Sequence, residues 1–198
     1  MRRALVLALL ALAVAAPGAS AALPFTIGTG SAPHLAVDAT ADTAHVVWID
    51  EARRLMHCRL PRGATACAAP TAVDGAGPMD DPFVLVHPGG ALSVVMAHDG
   101  EQRTYAWRST DGGATWSPRT TIYAFGGEQQ PAEPVLGPGP GEVTLAAWTW
   151  DRTTGRGQGS VWTASLDGGE AAAATHATFA DALDPSLAVT AAGDLLLS

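Results

Sequence analysis

Few residues in this 198-residue chain stand at spacings that could do chemistry. Asp80 and Asp81 are adjacent carboxylates, and such a pair can divide acid and base work at a glycosidic bond. The pair also has a structural reading, because Asp before Pro recurs at Asp81 and Asp184 and short acidic linkers form turns. Cys58 and Cys67 enclose a turn-like stretch containing Pro61 and Gly63, which reads as a bridged hairpin. A metal pair is the weaker alternative: two thiolates nine positions apart need further His or Cys ligands at regular spacing, and His57 is the one candidate nearby. The histidines at 34, 45, 57, 87, 98 and 176 show no ligand spacing. Neither a metal site nor a cofactor is therefore expected.

The composition says what must position these residues. Gly (22) and Pro (14) punctuate the chain too often for long helices, while 47% hydrophobic against 15% charged residues marks a globular protein. The formal net charge is −8 and every basic residue is Arg, so the basic stripe of a nucleic-acid binder is absent. Met1-Arg2-Arg3, the apolar run Ala4 to Ala16, the breaker Pro17-Gly18 and the small-residue site Ala19-Ser20-Ala21 read as a signal peptide, residues 1–21, cleaved after Ala21. The run is too short for a membrane-spanning helix of about 20 residues, and no second one follows. The mature chain is expected outside the cytoplasm, extracellular or periplasmic, where a Cys58–Cys67 bridge would persist.

One phrase repeats along the remainder. Pro33-His-Leu-Ala-Val, Pro82-Phe-Val-Leu-Val, Pro134-Val-Leu and Pro185-Ser-Leu-Ala-Val lie 49, 52 and 51 residues apart. Each opens a short apolar strand. A second strand follows at Ala44 to Trp48, Ala91 to Met96 and Glu142 to Trp148, and a third at Leu55 to Cys58, Tyr105 to Arg108 and Val161 to Ala164. A fourth is expected near Ala68 to Val73, Arg119 to Tyr123 and Ala173 to Thr178. Four strands per 50 residues is the period of a β-propeller blade. The expected fold is all-β, with blades at about 26–76, 77–127 and 128–180 and part of a fourth at 181–198. About 3.5 blades cannot close a ring of four to eight, so the chain reads as part of a longer propeller, prone to self-association.

The hairpin after the third strand of the second unit reads Ser109-Thr110-Asp111-Gly112-Gly113-Ala114-Thr115-Trp116. This resembles the Asp-box of sialidases and related propellers, Ser/Thr-x-Asp-x-Gly-x-Thr-Trp. An Asp in such a turn accepts backbone N–H bonds, Gly supplies positive φ and Trp packs into the blade. The third unit keeps Ser165, Asp167 and Gly169 but has Ala172 in place of the Trp. In the first unit Pro61 replaces the Asp and Ala66 the Trp, with Cys58 and Cys67 at the flanking positions. The resemblance implies a six-bladed ring and places the box on the face opposite any substrate site, which makes Asp111 a turn residue rather than a catalyst.

Sialidases of this kind open the first blade with an Arg that grips the substrate carboxylate. Here the matching position is Ser31, two before Pro33, and its counterparts Asp80, Ala132 and Leu183 are not Arg either. The face opposite the boxes would collect Asp50, Glu51, Arg53 and Arg54, then His98, Asp99, Glu101 and Arg103, then Asp151, Arg152 and Arg156. The linkers add Asp80, Asp81, Gln129, Gln130, Glu133, Asp181 and Asp184. Trp48, Trp107, Trp148, Trp150 and Trp162 fall on expected strands and read as blade core, with Trp150, near a strand end, the best exception as a sugar platform. The functional expectation is an exported, sialidase-like propeller offering a glycan- or protein-binding surface without a complete catalytic set. The alternatives are an exo-α-sialidase-type glycoside hydrolase whose remaining residues lie beyond Ser198, and a purely structural extracellular module.

Overall fold

The computed structural model describes residues 26–67, 69–74, 81–124, 129–131, 134–151, 153, 156–168, 174–180, 186–190, 192 and 194–197. The expected signal segment, Asp80, Glu133, Arg152 and Gly169 lie outside them.

The chain is an all-β partial propeller. The first blade contains β1 (Ser31–Asp38), β2 (Thr43–Ile49), β3 (Leu55–Pro61) and β4 (Thr71–Asp74), antiparallel and in sequence order. The second repeats this with β5 (Phe83–Val86), β6 (Leu92–His98), β7 (Arg103–Ser109) and β8 (Thr120–Ala124). The third contains β9 (Gln129–Pro131), β10 (Val135–Leu136), β11 (Glu142–Asp151), β12 (Arg156–Ser165) and β13 (Ala174–Ala180). A two-stranded sheet of β14 (Leu187–Val189) and β15 (Leu195–Leu197) follows. Among the described residues there is no α-helix, only a 3₁₀ turn at Asp99–Glu101, and so no helix long and apolar enough to cross a membrane.

Period-two side-chain alternation explains why these strands stack as blades. Every residue of β6 is buried, because a middle strand has one blade on each side. Val94 and Met96 point at the first blade, where they meet Val47, Ile49 and Leu55 together with Val84, Tyr105 and Trp107. Val95, between them, points the other way and joins Ala106, Ile122, Val143, Leu145 and Trp162 against the third blade. There Tyr123 stacks on Trp162 with ring centroids 3.7 Å apart. Ala146 and Val161 continue the pattern against Leu187 of the last sheet.

The other face of the first blade gathers Val46, Trp48, Met56, Cys58 and Leu60. A disulfide joins Cys58 to Cys67, Cα atoms 5.8 Å apart, and ties the loop after β3 onto this cluster. The metal alternative for these cysteines falls with that bond. On the same face Leu35 and Val37 stay 54% and 61% exposed, so this apolar side is incompletely covered among the described residues. Leu196 is similarly open, 55% exposed, on β15.

Two details differ from the sequence expectation, and a third, the strand expected near Ala173 to Thr178, agrees with it. The first blade's outer strand begins at Thr71, not Ala68. The third blade's inner strand is two pieces, β9 and β10, both paired with the ten-residue β11. Pro134 lacks an N–H and stands just before β10, where a continuous strand would need a donor. The Ala-rich 174–180 segment is strand, because pairing with β12 overrides alanine's helical preference.

Candidate functional site

Antiparallel order sends alternate connections to opposite ends of every blade. One end carries the β2–β3 and β6–β7 loops and the linkers between blades. The other carries the β1–β2 and β5–β6 turns and the box after β7.

At the loop end, Asp50 closes its own turn. Its carboxylate accepts from the Arg54 backbone N–H at 2.8 Å and from Arg54 Nε at 2.8 Å, and these bonds hold its pKa below the ordinary value. Arg53, beside it, is exposed with φ of 61°. In the second blade the Glu101 N–H donates to His98 Nδ1 at 3.1 Å, and His98 Nε2 stands 3.6 Å from the Glu101 carboxylate. Glu101 also accepts a hydrogen bond from the Tyr105 hydroxyl and lies 3.6 Å from Arg119, whose guanidinium sits 4.5 Å above the Tyr105 ring. The Tyr105 bond, followed by Arg119 and His98, lowers the Glu101 pKa; burial and the same bond raise that of Tyr105. Sequence reasoning missed Tyr105 and Arg119 as members of this network. Arg103 is half-buried and pairs across the sheet with His98 and Ala124. Asp81 is exposed just ahead of β5, and Asp151 pairs through its backbone with Arg156. The side chains of Asp99 and Asp151 lie outside what is described.

At the opposite end the box folds on itself. Asp111 accepts from the Thr115 N–H (2.9 Å), the Thr115 hydroxyl (2.6 Å) and the Ser109 hydroxyl (2.8 Å), while the Gly113 N–H donates to Ser109 Oγ at 2.8 Å. These donors, Thr115 foremost, lower the Asp111 pKa to about 2. The base of the hairpin is closed by Ser117 N–H to Arg108 C=O (2.8 Å) and Arg108 N–H to Ser117 Oγ (3.0 Å). The box also docks on the first blade: Thr71 Oγ1 donates to the Gly113 carbonyl at 3.1 Å, and Trp116 packs edge-on against His57. In the third blade Asp167 turns outward instead and pairs with Arg108 of the second.

Beside the box lies a cavity of about 730 Å³. Its walls are the β1–β2 turn from Asp38, the Gly89-Gly90 turn, Asp111-Gly112, His45 and Arg59, with Val37, Val86 and Leu136 as apolar patches. His45 and His57 are both buried, with His45 Nδ1 3.1 Å from His57 Nε2. Burial, then the neighbouring His45, pushes the His57 pKa down to about 4. The sequence singled out His57 only as a neighbour of Cys58 and did not pair it with His45, because the two are 12 residues apart and meet only through the β2–β3 register.

The blade architecture and these two ends define a propeller-type protein. Solved structures agree on that fold. The chain is similar to a Hadza microbial sialidase (TM-score 0.53, 14% identity, 79% of this chain and 39% of that one). It is similar to a xylan β-1,4-xylosidase from Bacillus halodurans C-125 (TM-score 0.56, 15% identity, 88% and 38%). A polysaccharide lyase, an ulvan lyase bound to a GlcA–Rha3S saccharide, aligns with TM-score 0.51 at 10% identity, over 71% and 42%. The chain thus spans roughly two fifths of the length of the structures it resembles. No protein-family description matches it, and no curated protein does.

Proposed function

We propose that the chain is part of an exported, sialidase-like Asp-box propeller that presents a glycan-binding surface at its loop end and lacks a complete catalytic set. The glycan half of this reading is supported by the shared fold with a sialidase, a xylosidase and a polysaccharide lyase. The observation that carries the non-catalytic half is Ser31. It is the first residue of β1, paired with Ile49, at the position where the sialidase resemblance calls for a carboxylate-gripping Arg. A hydroxyl cannot make the bidentate contact of a guanidinium. Two loop-end carboxylates, Asp50 and Glu101, are held by Arg54 and Tyr105. Both have lowered pKa values, which suits anchoring of loops and not donation of a proton near neutral pH.

The test is a fluorogenic sialoside assay run beside a glycan array on the secreted chain. Array binding without turnover is expected. Turnover above a heat-killed control would favour the hydrolase alternative, and an empty array would remove the glycan reading. The open apolar residues Leu35, Val37 and Leu196 support self-association of the isolated chain, which sedimentation velocity reads directly.

A further inference from the structure

At the loop end one buried histidine addresses both ends of a single glutamate. His98 is the last residue of β6, 8% exposed, and Gly100 of the 3₁₀ turn rests on its ring, where a Cβ would fall 3.4 Å from Cε1. His98 Nδ1 accepts the Glu101 N–H at 3.1 Å. A nitrogen that accepts an N–H carries a lone pair, so the neutral ring has its proton on Nε2. That Nε2 stands 3.6 Å from a Glu101 carboxylate oxygen, too far for a good hydrogen bond but within reach of an ion pair.

The two contacts respond in opposite ways to a second proton. Nδ1–H cannot accept, so protonation breaks the backbone bond and sets two donors against each other. The same charge is attracted to the carboxylate. Glu101 stays ionised, the Tyr105 bond foremost in lowering its pKa, and it is tethered by the Tyr105 hydroxyl and by Arg119 at 3.6 Å. The carboxylate is therefore fixed, and it is the backbone of the turn that must move. Gly100 has no side chain to obstruct that motion. Gln102, next along, has a φ of 53°, a left-handed conformation that a residue with a Cβ keeps only where its surroundings impose it. Loss of the Glu101 bond removes one such restraint.

The other charged groups around the ring are placed as follows. On β7, Arg103 pairs with His98 across the sheet, and Tyr105 sets its ring edge-on to the imidazole with centroids 6.5 Å apart. Arg119 is engaged with Tyr105 and Glu101. Asp74 of the facing blade accepts from Trp107 Nε1 at 3.1 Å, and Asp99 opens the turn itself. Arg103 opposes a charge on the ring; Glu101 favours it.

We infer that the β6–β7 turn is a proton-operated latch: neutral His98 holds it shut through the Glu101 N–H, and charged His98 releases that bond and takes the Glu101 carboxylate instead. The loop end thus changes shape on acidification, whether or not that surface takes a glycan.

The test is an NMR titration of the ¹⁵N-labelled full chain from about pH 8 to about pH 5, the range in which histidines change charge. At the alkaline end a through-bond coupling between the Glu101 amide nitrogen and His98 Nδ1 should be present, with the ring proton on Nε2. On acidification that coupling should vanish, and the Glu101 amide signal should move with the same midpoint as the His98 ring. The Thr115 amide, held by Asp111, should stay in place and report an intact fold. His98→Asn puts a neutral acceptor where Nδ1 stood, so its Glu101 amide should not titrate. Glu101→Gln keeps the N–H but loses the charge, and its His98 midpoint should fall to lower pH. The wild-type titration decides without the variants if either fails to fold. A proton on Nδ1 at the alkaline end, or a Glu101 amide that ignores the His98 midpoint, would overturn the latch. So would a titrating Glu101 amide in His98→Asn or an unmoved His98 midpoint in Glu101→Gln. These readouts lie within the loop, so a failure here leaves the glycan-array result untouched.

Discussion

Gly113 of the second blade's box lies so close to His57 of the first that a Cβ on the glycine would fall 2.0 Å from the imidazole Cε1. Its φ of 90° is also one that side-chain-bearing residues avoid. The box thus serves two contacts, the turn and the seam between blades. Gly113→Ala should cost about 1–3 kcal/mol in urea unfolding, from strain and overpacking together. Adding His57→Ala should recover part of that loss through the space it opens. A double-mutant cycle that finds simple additivity would show that the contact does not couple the blades.

The Cys58–Cys67 bond closes a loop of about ten residues beside the buried Trp48 and Met56. Replacing both cysteines with Ser should lower stability by about 2–3 kcal/mol. Non-reducing peptide maps of exported protein should contain the cross-linked pair. Two free thiols in correctly exported material would contradict it.

Much of the fold was legible because the blade signal is local. The Pro-led strands recur near 50 residues, and the apolar run expected as a strand at Ala91 to Met96 falls largely on the fully buried β6, Leu92–His98. What could not be read depends on register or on partners from another blade. Arg108 meets Asp167 across 59 residues, Arg119 reaches Tyr105 from just ahead of β8, and His45 faces His57 only because Val46 pairs with Cys58. The loop-end residues were chosen by topology alone, and topology places a side chain at an end without revealing that Asp50 is occupied by Arg54. The inner strand of the third blade broke for a reason visible beforehand, the donor missing at Pro134, but the rescue by β9 was not.

Asp111 sets an acid limit on the box. Its folded pKa is about 2 against an ordinary 3.8, so the carboxylate's contribution is fully present above pH 4 and is lost as pH falls through 2. Asp111→Asn should remove that dependence below pH 4. Comparing acid unfolding of the two proteins checks it, and parallel curves from pH 4 to 2 would exclude this role.

His57 governs a different window, and the sign is the opposite of a histidine stabilised by a carboxylate. Its folded pKa is about 4 and its ordinary value 6.5, because burial and His45 disfavour the charged ring. Above pH 6.5 both folded and unfolded chains carry it neutral, and it adds no pH dependence. Between 6.5 and 4 the unfolded chain takes up a proton that the native chain refuses, so stability falls as the pH falls. The loss should reach on the order of 2 kcal/mol by pH 4 and then level off. His45, also lowered first by burial, adds in the same direction. Within the cluster Arg59 opposes protonation of both rings and Asp38 favours that of His45. His57→Gln keeps a polar group under Gly113 but cannot titrate, so its urea midpoint should be flatter from pH 6.5 to 4 while the Asp111 window stays in place. Equal slopes in the two proteins across that range would mean that the ring is solvated or already charged in the native state, and the buried His45–His57 pairing would fall with it.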